Sequence, residues 1–299
     1  MKVIVITGPT GVGKTKLSVS IAKKYHGEII NADAMQVYRD LNIGTAKITE
    51  EEKEGIPHHL FDIKNVTEEY SIYDYQKDCR QKIEEITQRG HVPILVGGTG
   101  LYIKAALYDY HFSLYEQEKK EEYEKKSLQE LNHLLKEIDP EGANLIDQNN
   151  KRRVINAIIY YQENGESISQ NHTNRLLYDC VFIGLTTERE NLYEIINQRV
   201  DKMIDMGLVS EVKNFYDQKI FTKPLIGGIG YKELYQYFDK KISYEEAVDA
   251  IKRNSRRYAK RQYTFFRNQL NIQWFYTNYE NFSHTVNEVS TYLEVSMVK

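Results

Sequence analysis

Short apolar runs recur along the chain at Val3–Ile6, Glu28–Ile30, Pro93–Val96, Val181–Leu185 and Ile272–Phe275, with segments of helical spacing between them. Runs this short and this continuously apolar read as strands buried on both faces, and their alternation with helices predicts a mostly parallel sheet in an α/β fold. The first run leads into an amphipathic helix whose apolar positions are Leu17, Val19, Ile21, Ala22 and Tyr25. From Leu114 to Arg175 the rhythm breaks. That stretch is rich in Glu, Lys, Gln and Asn, with helical patterns over Glu118–Ile138 and Asn150–Tyr161 and a boundary at Asp139-Pro140. It predicts a helical insertion domain (114–175) within a core formed by 1–113 and 176–299. The C-terminal third is mainly helical. Glu188–Met206, Glu211–Tyr216 and Tyr231–Phe238 are amphipathic, and Ser243 caps a long helix through about Asn268, with Glu245 and Glu246 in its first turn.

Composition narrows the class. A chain of 299 residues, 41% hydrophobic and 28% charged, has the balance of a soluble globular protein with a sizeable core. No run is apolar and long enough to span a membrane, and residues 1–7 enter a strand directly rather than a cleavable signal. Cys79 and Cys180 lie far apart and read as buried thiols in a reducing cytoplasm. His58-His59 has no ligand spacing for a metal.

The strand ends carry the chemistry. Val3–Ile6 feeds Gly8-Pro9-Thr10-Gly11-Val12-Gly13-Lys14-Thr15, a full phosphate-loop pattern with a strand before it and a helix after it. Its backbone N–H groups turn inward at a helix N-terminus, Lys14 adds a cation, and Thr15 offers a hydroxyl to Mg²⁺. The core is therefore expected to be P-loop NTPase-like and three-layered. The second strand ends at Asn31-Ala32-Asp33 and the third at Gly97-Gly98-Thr99-Gly100. In a parallel sheet these ends share one edge, so Asp33 and Thr99 should border the same cleft as Lys14. An acidic residue after the third strand, which a hydrolysing NTPase uses for Mg²⁺ and water, is missing, and this favours group transfer. Asp33 is the candidate base, with turn capping as the bland alternative. Arg199 lies inside a helix, and spacing alone does not distinguish it from a solvated arginine.

Charge distribution points to an anionic polymer. Seven basic and no acidic residues lie between Lys252 and Arg267, so the rest of a chain of net −3 carries −10. Positions 253, 256, 257, 260 and 264 follow helical spacing, and Tyr258, Tyr263, Phe265 and Phe266 are interleaved. Lys151-Arg152-Arg153 opens a helix, where cations oppose the macrodipole.

Taken together, these residues resemble the tRNA dimethylallyltransferases (tRNA isopentenyltransferases) of bacterial type. The resemblance is carried by Gly8–Thr15, Asn31–Tyr38, Ile43–Lys47, Pro57–Leu60, Gly97–Tyr102, the Arg199 helix with Gly207-Leu208, Ile229–Glu233 and Arg257–Gln262, in the family's order across nearly the whole chain. It implies transfer of a dimethylallyl group from dimethylallyl diphosphate to the exocyclic amine of the adenine 3′ of the anticodon, in tRNAs reading codons that begin with U. Thr10, Gly11, Val12, Gly13, Lys14 and Thr15 would grip the diphosphate, with Mg²⁺ near Thr15. Asp33 matches the general base, and Thr99 and Arg199 match residues that contact the substrates and stabilise the leaving group. The tRNA site would draw on Asp33, Ala34, Met35, Gln36, Arg152, Arg153, Gly230, Tyr231, Lys232, Arg256, Arg257, Lys260, Arg261 and Gln262. A monomer is expected, since one tRNA would occupy much of the cleft. The chain departs from the family at Ala34, where Ser is usual beside the base. It departs again at Asn156-Ala157-Ile158-Ile159, where Arg-Ala-Leu-Glu is usual, and at Phe265, where Trp is common. The zinc-binding extension of eukaryotic members does not follow Trp274. A prenyltransferase acting on free adenine nucleotides, a P-loop small-molecule kinase and a non-catalytic RNA binder are the competing readings.

Overall fold

The computed structural model describes residues 2–110, 117–167 and 175–298. Among these, six strands form one sheet: β1 (Lys2–Thr7), β2 (Gly27–Asn31), β3 (His58–His59), β4 (Val92–Gly97), β5 (Asp179–Thr186) and β6 (Gln273–Tyr276). Their order is β3-β2-β4-β1-β5-β6 and every pairing is parallel. The five apolar runs are all strands. β3 has no counterpart in the hydrophobic pattern, because a two-residue edge strand made of His-His has no periodicity to read.

Strand alternation builds three layers. Ile4, Ile6, Ile29, Ile94, Val181, Ile183 and Leu185 join one core with Leu17, Ile21, Ala22, Val289 and Leu293, from helices Lys14–Tyr25 and Phe282–Val298. Their strand neighbours Val3, Val5, Ile30 and Leu95 are equally buried and stand outside that core, so they face the other way. There the helices Ile72–Gln88 and Gly100–Leu107 pack on each other and on β4. A further core of Val37, Leu41, Val200, Leu208, Val212, Tyr231, Leu234 and Ile251 knits together the helices of the C-terminal third. The longest of these, Tyr244–Gln269, begins with a capping box: Glu246 N donates to Ser243 Oγ at 3.1 Å, and Ser243 N donates to the Glu246 carboxylate at 2.7 Å.

One charged group lies inside the sheet. Glu28 on β2 is buried, and it accepts from His59 Nε2 at 2.6 Å, His91 Nδ1 at 2.7 Å, and Arg89 Nε and Nη2 at 3.1 and 2.8 Å. Burial alone would raise its pKa; the Arg89, His59 and His91 hydrogen bonds outweigh that and bring it down to about 2. His59 is thus committed to a carboxylate, and no cluster of metal-ligating residues occurs among the described residues.

The chain divides into two compact units, one formed by Met1–Leu107 with Leu176–Lys299 and the other by Tyr108–Arg175. The boundary expected at 113/114 falls outside the described residues. The second unit holds helices Gln117–Glu124, Leu128–Ile138, Pro140–Leu145 and Lys151–Asn164. The single helical pattern expected over Glu118–Ile138 is two helices, because the Ser127–Glu130 capping box starts a new one. Asn150 caps the last helix by accepting from Arg153 N. Ile158 and Ile159 are fully buried in this unit's core with Leu131, Leu135 and Val154, so the glutamate usual at 159 in the family would be a buried charge here.

Candidate active site

The parallel register aligns the strand ends that carry the chemistry. Thr7 pairs with both Gly97 and Gly184, and Asn31 pairs with Val96, so the phosphate loop, the Asp33 turn and the Gly97–Gly100 turn leave the sheet along one edge. They open onto a cleft of about 1330 Å³ lined by Lys14, Thr15, Asp33, Gly98, Arg199 and Tyr258 among others.

Gly13 ends the phosphate loop at φ 88°, a left-handed conformation costly for any side chain, and it starts the helix Lys14–Tyr25. No side chain caps that helix, so its first-turn N–H groups are available to an anion. The loop is braced from behind: Thr277 Oγ1 donates to Val12 O at 2.8 Å, and the Gln262 carboxamide accepts from Thr10 N at 3.1 Å while donating to Gly98 O at 2.9 Å. Gly98 leaves room for that clamp, since a Cβ there would stand 2.2 Å from Gln262 Nε2. One expected diphosphate contact changes character as a result, because the Thr10 N–H is spent on Gln262.

Lys14 donates to its own loop at Pro9 O, 2.6 Å away. Burial, and then the nearby Arg199, lower its pKa to about 7, and Asp33 partly opposes them. Arg199 is half-buried, with its pKa lowered by burial and raised by Asp33 and then Glu52. Two cations thus face one open space that nothing among the described residues neutralises by an ion pair. A diphosphate placed there would restore the charge of Lys14. Binding of an organic diphosphate at pH 8 should therefore take up a proton, and affinity should fall with rising pH above about 7. Calorimetry in two buffers of different ionisation enthalpy measures this; equal proton uptake in wild type and Lys14→Met would assign the proton elsewhere.

Asp33 is held in a tight turn. Its N–H donates to Asn31 Oδ1 at 2.9 Å, and its Oδ1 accepts from Met35 N at 2.9 Å. The capping role is therefore real, and it occupies one carboxylate oxygen only. Thr99 stands beside the cleft wall rather than on it: its Oγ1 accepts from Ala34 N at 3.0 Å. Gln36 is tied to Thr45 O at 3.0 Å.

The rim has a brace that the sequence did not reveal. Glu211 accepts from Asn42 N, Ile43 N and Gly44 N at 3.0, 2.7 and 3.0 Å, and from the Tyr231 hydroxyl at 2.6 Å. Tyr231 is fully buried against Gly44, so its side chain shapes this rim rather than offering a surface to nucleic acid. The Gly230 N–H is likewise spent on Glu233, at 2.8 Å, and Lys232 Nζ lies 3.6 Å from the same carboxylate group. On the long helix, Arg253, Arg257, Lys260 and Arg261 are exposed. Arg256 leaves the expected basic stripe: it donates to Asn197, and its guanidinium lies 5.9 Å from the Tyr193 ring centre. Lys252 pairs with Asp201 at 2.5 Å. Arg152 and Arg153 are exposed on the last helix of the second unit.

A strand–phosphate loop–helix unit, two cations facing the cleft and a carboxylate at the end of β2, with β4 lying between β2 and β1, define a phosphate-loop group-transfer enzyme. The IPP transferase family model matches residues 36–269. The tRNA dimethylallyltransferase of Anoxybacillus flavithermus is 51% identical over 98% of this chain and 96% of its own, and that of Geobacillus kaustophilus is 48% identical with the same coverage. A solved tRNA isopentenylpyrophosphate transferase from Bacillus halodurans superposes with a TM-score of 0.77 at 44% identity, over 99% of this chain and 96% of its own. A eukaryotic dimethylallyltransferase acting on tRNA superposes at 0.87 with 30% identity, over 99% of this chain and 79% of its own. The chain belongs to the IPP transferase family.

Proposed function

We propose that the chain transfers a dimethylallyl group from dimethylallyl diphosphate to N6 of the adenine 3′ of the anticodon, in cytoplasmic tRNAs that read codons beginning with U. The observation that carries this reading is the meeting of Lys14, Arg199 and Asp33 at one cleft edge, beside an uncapped helix N-terminus. The exocyclic amine is a weak nucleophile, so the rate must come from positioning and from stabilising the departing diphosphate. The N6 lone pair forms a bond to C1 of the dimethylallyl group, the C–O bond to diphosphate breaks, and the N6 proton goes to Asp33. Lys14, Arg199 and the first-turn N–H groups receive the charge that develops on the leaving oxygen. Asp33 Oδ1 is already engaged by Met35 N, so the second oxygen is the one presented to the amine.

Magnesium fits this donor set. Thr15 is exposed at the helix start, and the ion commonly binds through one protein oxygen together with phosphate oxygens and water. When bound, it would supply further neutralisation of the diphosphate. The base must leave its stack to reach the cleft, at a cost of a few kcal/mol offset by contacts in the pocket. Ala34, Met35, Gln36, Lys232, Arg257, Lys260 and Arg261 in the first unit, and Arg152 and Arg153 in the second, are the proposed RNA contacts.

Labelled dimethylallyl diphosphate incubated with unmodified tRNA, with free adenine nucleotides, and separately ATP with small acceptors, tests the reading. Label should appear on tRNA alone. Label on nucleotides but not on tRNA, or phosphoryl transfer from ATP, would overturn it.

A further inference from the structure

In a planar trans peptide the C=O and the N–H point opposite ways, so a contact that fixes one also aims the other. The phosphate loop uses this at both ends. At its start, the Pro9–Thr10 peptide donates its N–H to Gln262 Oε1 at 3.1 Å, while its oxygen accepts from Lys14 Nζ at 2.6 Å. Near its end, the oxygen of the Val12–Gly13 peptide accepts from Thr277 Oγ1 in a buried bond of 2.8 Å. The Gly13 N–H is therefore turned away from Thr277, and among the described residues it has no protein acceptor. Gly13 lines the cleft, whereas Val12 and Thr277 do not. Phe282 packs where a Gly13 side chain would stand, since a Cβ there would lie 2.6 Å from Phe282 Cε2. Thr277 is anchored in turn. Its own N–H donates to Thr186 O at 2.8 Å, next to the β5–β6 pairing, and the following Asn278 N donates to the fully buried Thr285 Oγ1 at 2.8 Å.

We propose that Thr277 is a positioning residue for the diphosphate: its hydroxyl holds the Val12–Gly13 peptide in the orientation that presents the Gly13 N–H to the anion. This rests on the diphosphate reading of the loop given under the proposed function. Glycine is needed at 13 for its φ of 88°, and the same freedom makes the preceding peptide easy to turn over. The loop therefore needs a hold from outside itself, and Thr277 supplies it from a segment remote in the chain. An N–H already aimed at the anion costs no reorganisation when charge develops on the leaving oxygen.

Thr277→Val keeps the shape of the side chain and removes the hydroxyl. Affinity for inorganic pyrophosphate, read by calorimetry, should fall about tenfold or more, the loss expected for one misdirected charge-assisted hydrogen bond. KM for dimethylallyl diphosphate should rise in parallel, while KM for tRNA stays within about twofold. Thr277→Ser restores the hydroxyl and should bring pyrophosphate affinity back to within about twofold of wild type. A measurement on the unaltered chain does not depend on how any variant folds: with glycine-selective nitrogen labelling, the Gly13 amide proton should shift downfield when pyrophosphate is added. A wild type that does not bind pyrophosphate would overturn the diphosphate reading, and this proposal with it. Wild-type binding with equal affinity in Thr277→Val, an equal loss in Thr277→Ser, a change in KM for tRNA alone, or an unmoved Gly13 amide would overturn the role of Thr277 and leave that reading standing.

Discussion

Asp33→Ala should cut turnover roughly 10²–10⁴-fold while tRNA affinity stays within about twofold of wild type. The size follows from the role. A weak amine nucleophile gains little from its own basicity, so the proton acceptor and the stabilised leaving group carry the barrier between them. Asp33 has a second duty, however, because its Oδ1 accepts from Met35 N and so shapes the turn that Thr99 also holds at Ala34. Loss of activity in the alanine variant would therefore mix two causes. Asp33→Asn separates them: an amide oxygen can still accept from Met35 N, but the group cannot take up a proton at neutral pH. If proton acceptance is the role, the asparagine variant loses nearly as much as the alanine variant, in single-turnover rates at saturating donor and tRNA. An asparagine variant close to wild type would reduce Asp33 to a turn residue and move the base elsewhere.

The sequence made one half of this site visible, and the reason is physical. The phosphate loop, the Asp33 turn and the Gly97–Gly100 turn are each local: a strand, then a short segment, all in consecutive residues. Parallel topology then places their ends on one edge, with no knowledge of side-chain contacts needed. Ser243 was visible for the same reason, since a capping box is complete within four positions. Arg199 was not. It sits in Arg189–Asp205 among ordinary amphipathic spacing, and only packing of that helix turns its head toward Asp33 and Lys14. Glu211 and Gln262 were missed as braces because their partners are far away in the chain, at Asn42–Gly44 and at Thr10 and Gly98. Helical spacing also overcounted the basic stripe. Residue 256 has the right phase for an exposed face, yet the neighbouring helix supplies Asn197 and Tyr193 to meet it.

That last correction changes which charges belong in a test of RNA binding. Arg253, Arg257 and Lys260 are exposed on one helix, are absent from the cleft wall, and make no ion pair among the described residues. Cations left open on a chain that is otherwise strongly acidic are suited to phosphate contacts, which give affinity without base specificity. Arg253→Gln, Arg257→Gln and Lys260→Gln combined should weaken tRNA binding by about two orders of magnitude at low salt, and should reduce the slope of log affinity against log salt by about two to three. The same variant should keep near-normal turnover once tRNA is saturating, because none of the three touches the cleft that holds the reacting groups. Arg256→Gln should leave the salt slope close to wild type, since its guanidinium is already held by Asn197 and the Tyr193 ring. A filter-binding series across salt concentrations separates the two variants. If the triple variant kept the wild-type slope while Arg256→Gln lowered it, the exposed face of this helix would not be where the phosphates lie, and Arg256 would have to exchange its protein partners for RNA on binding.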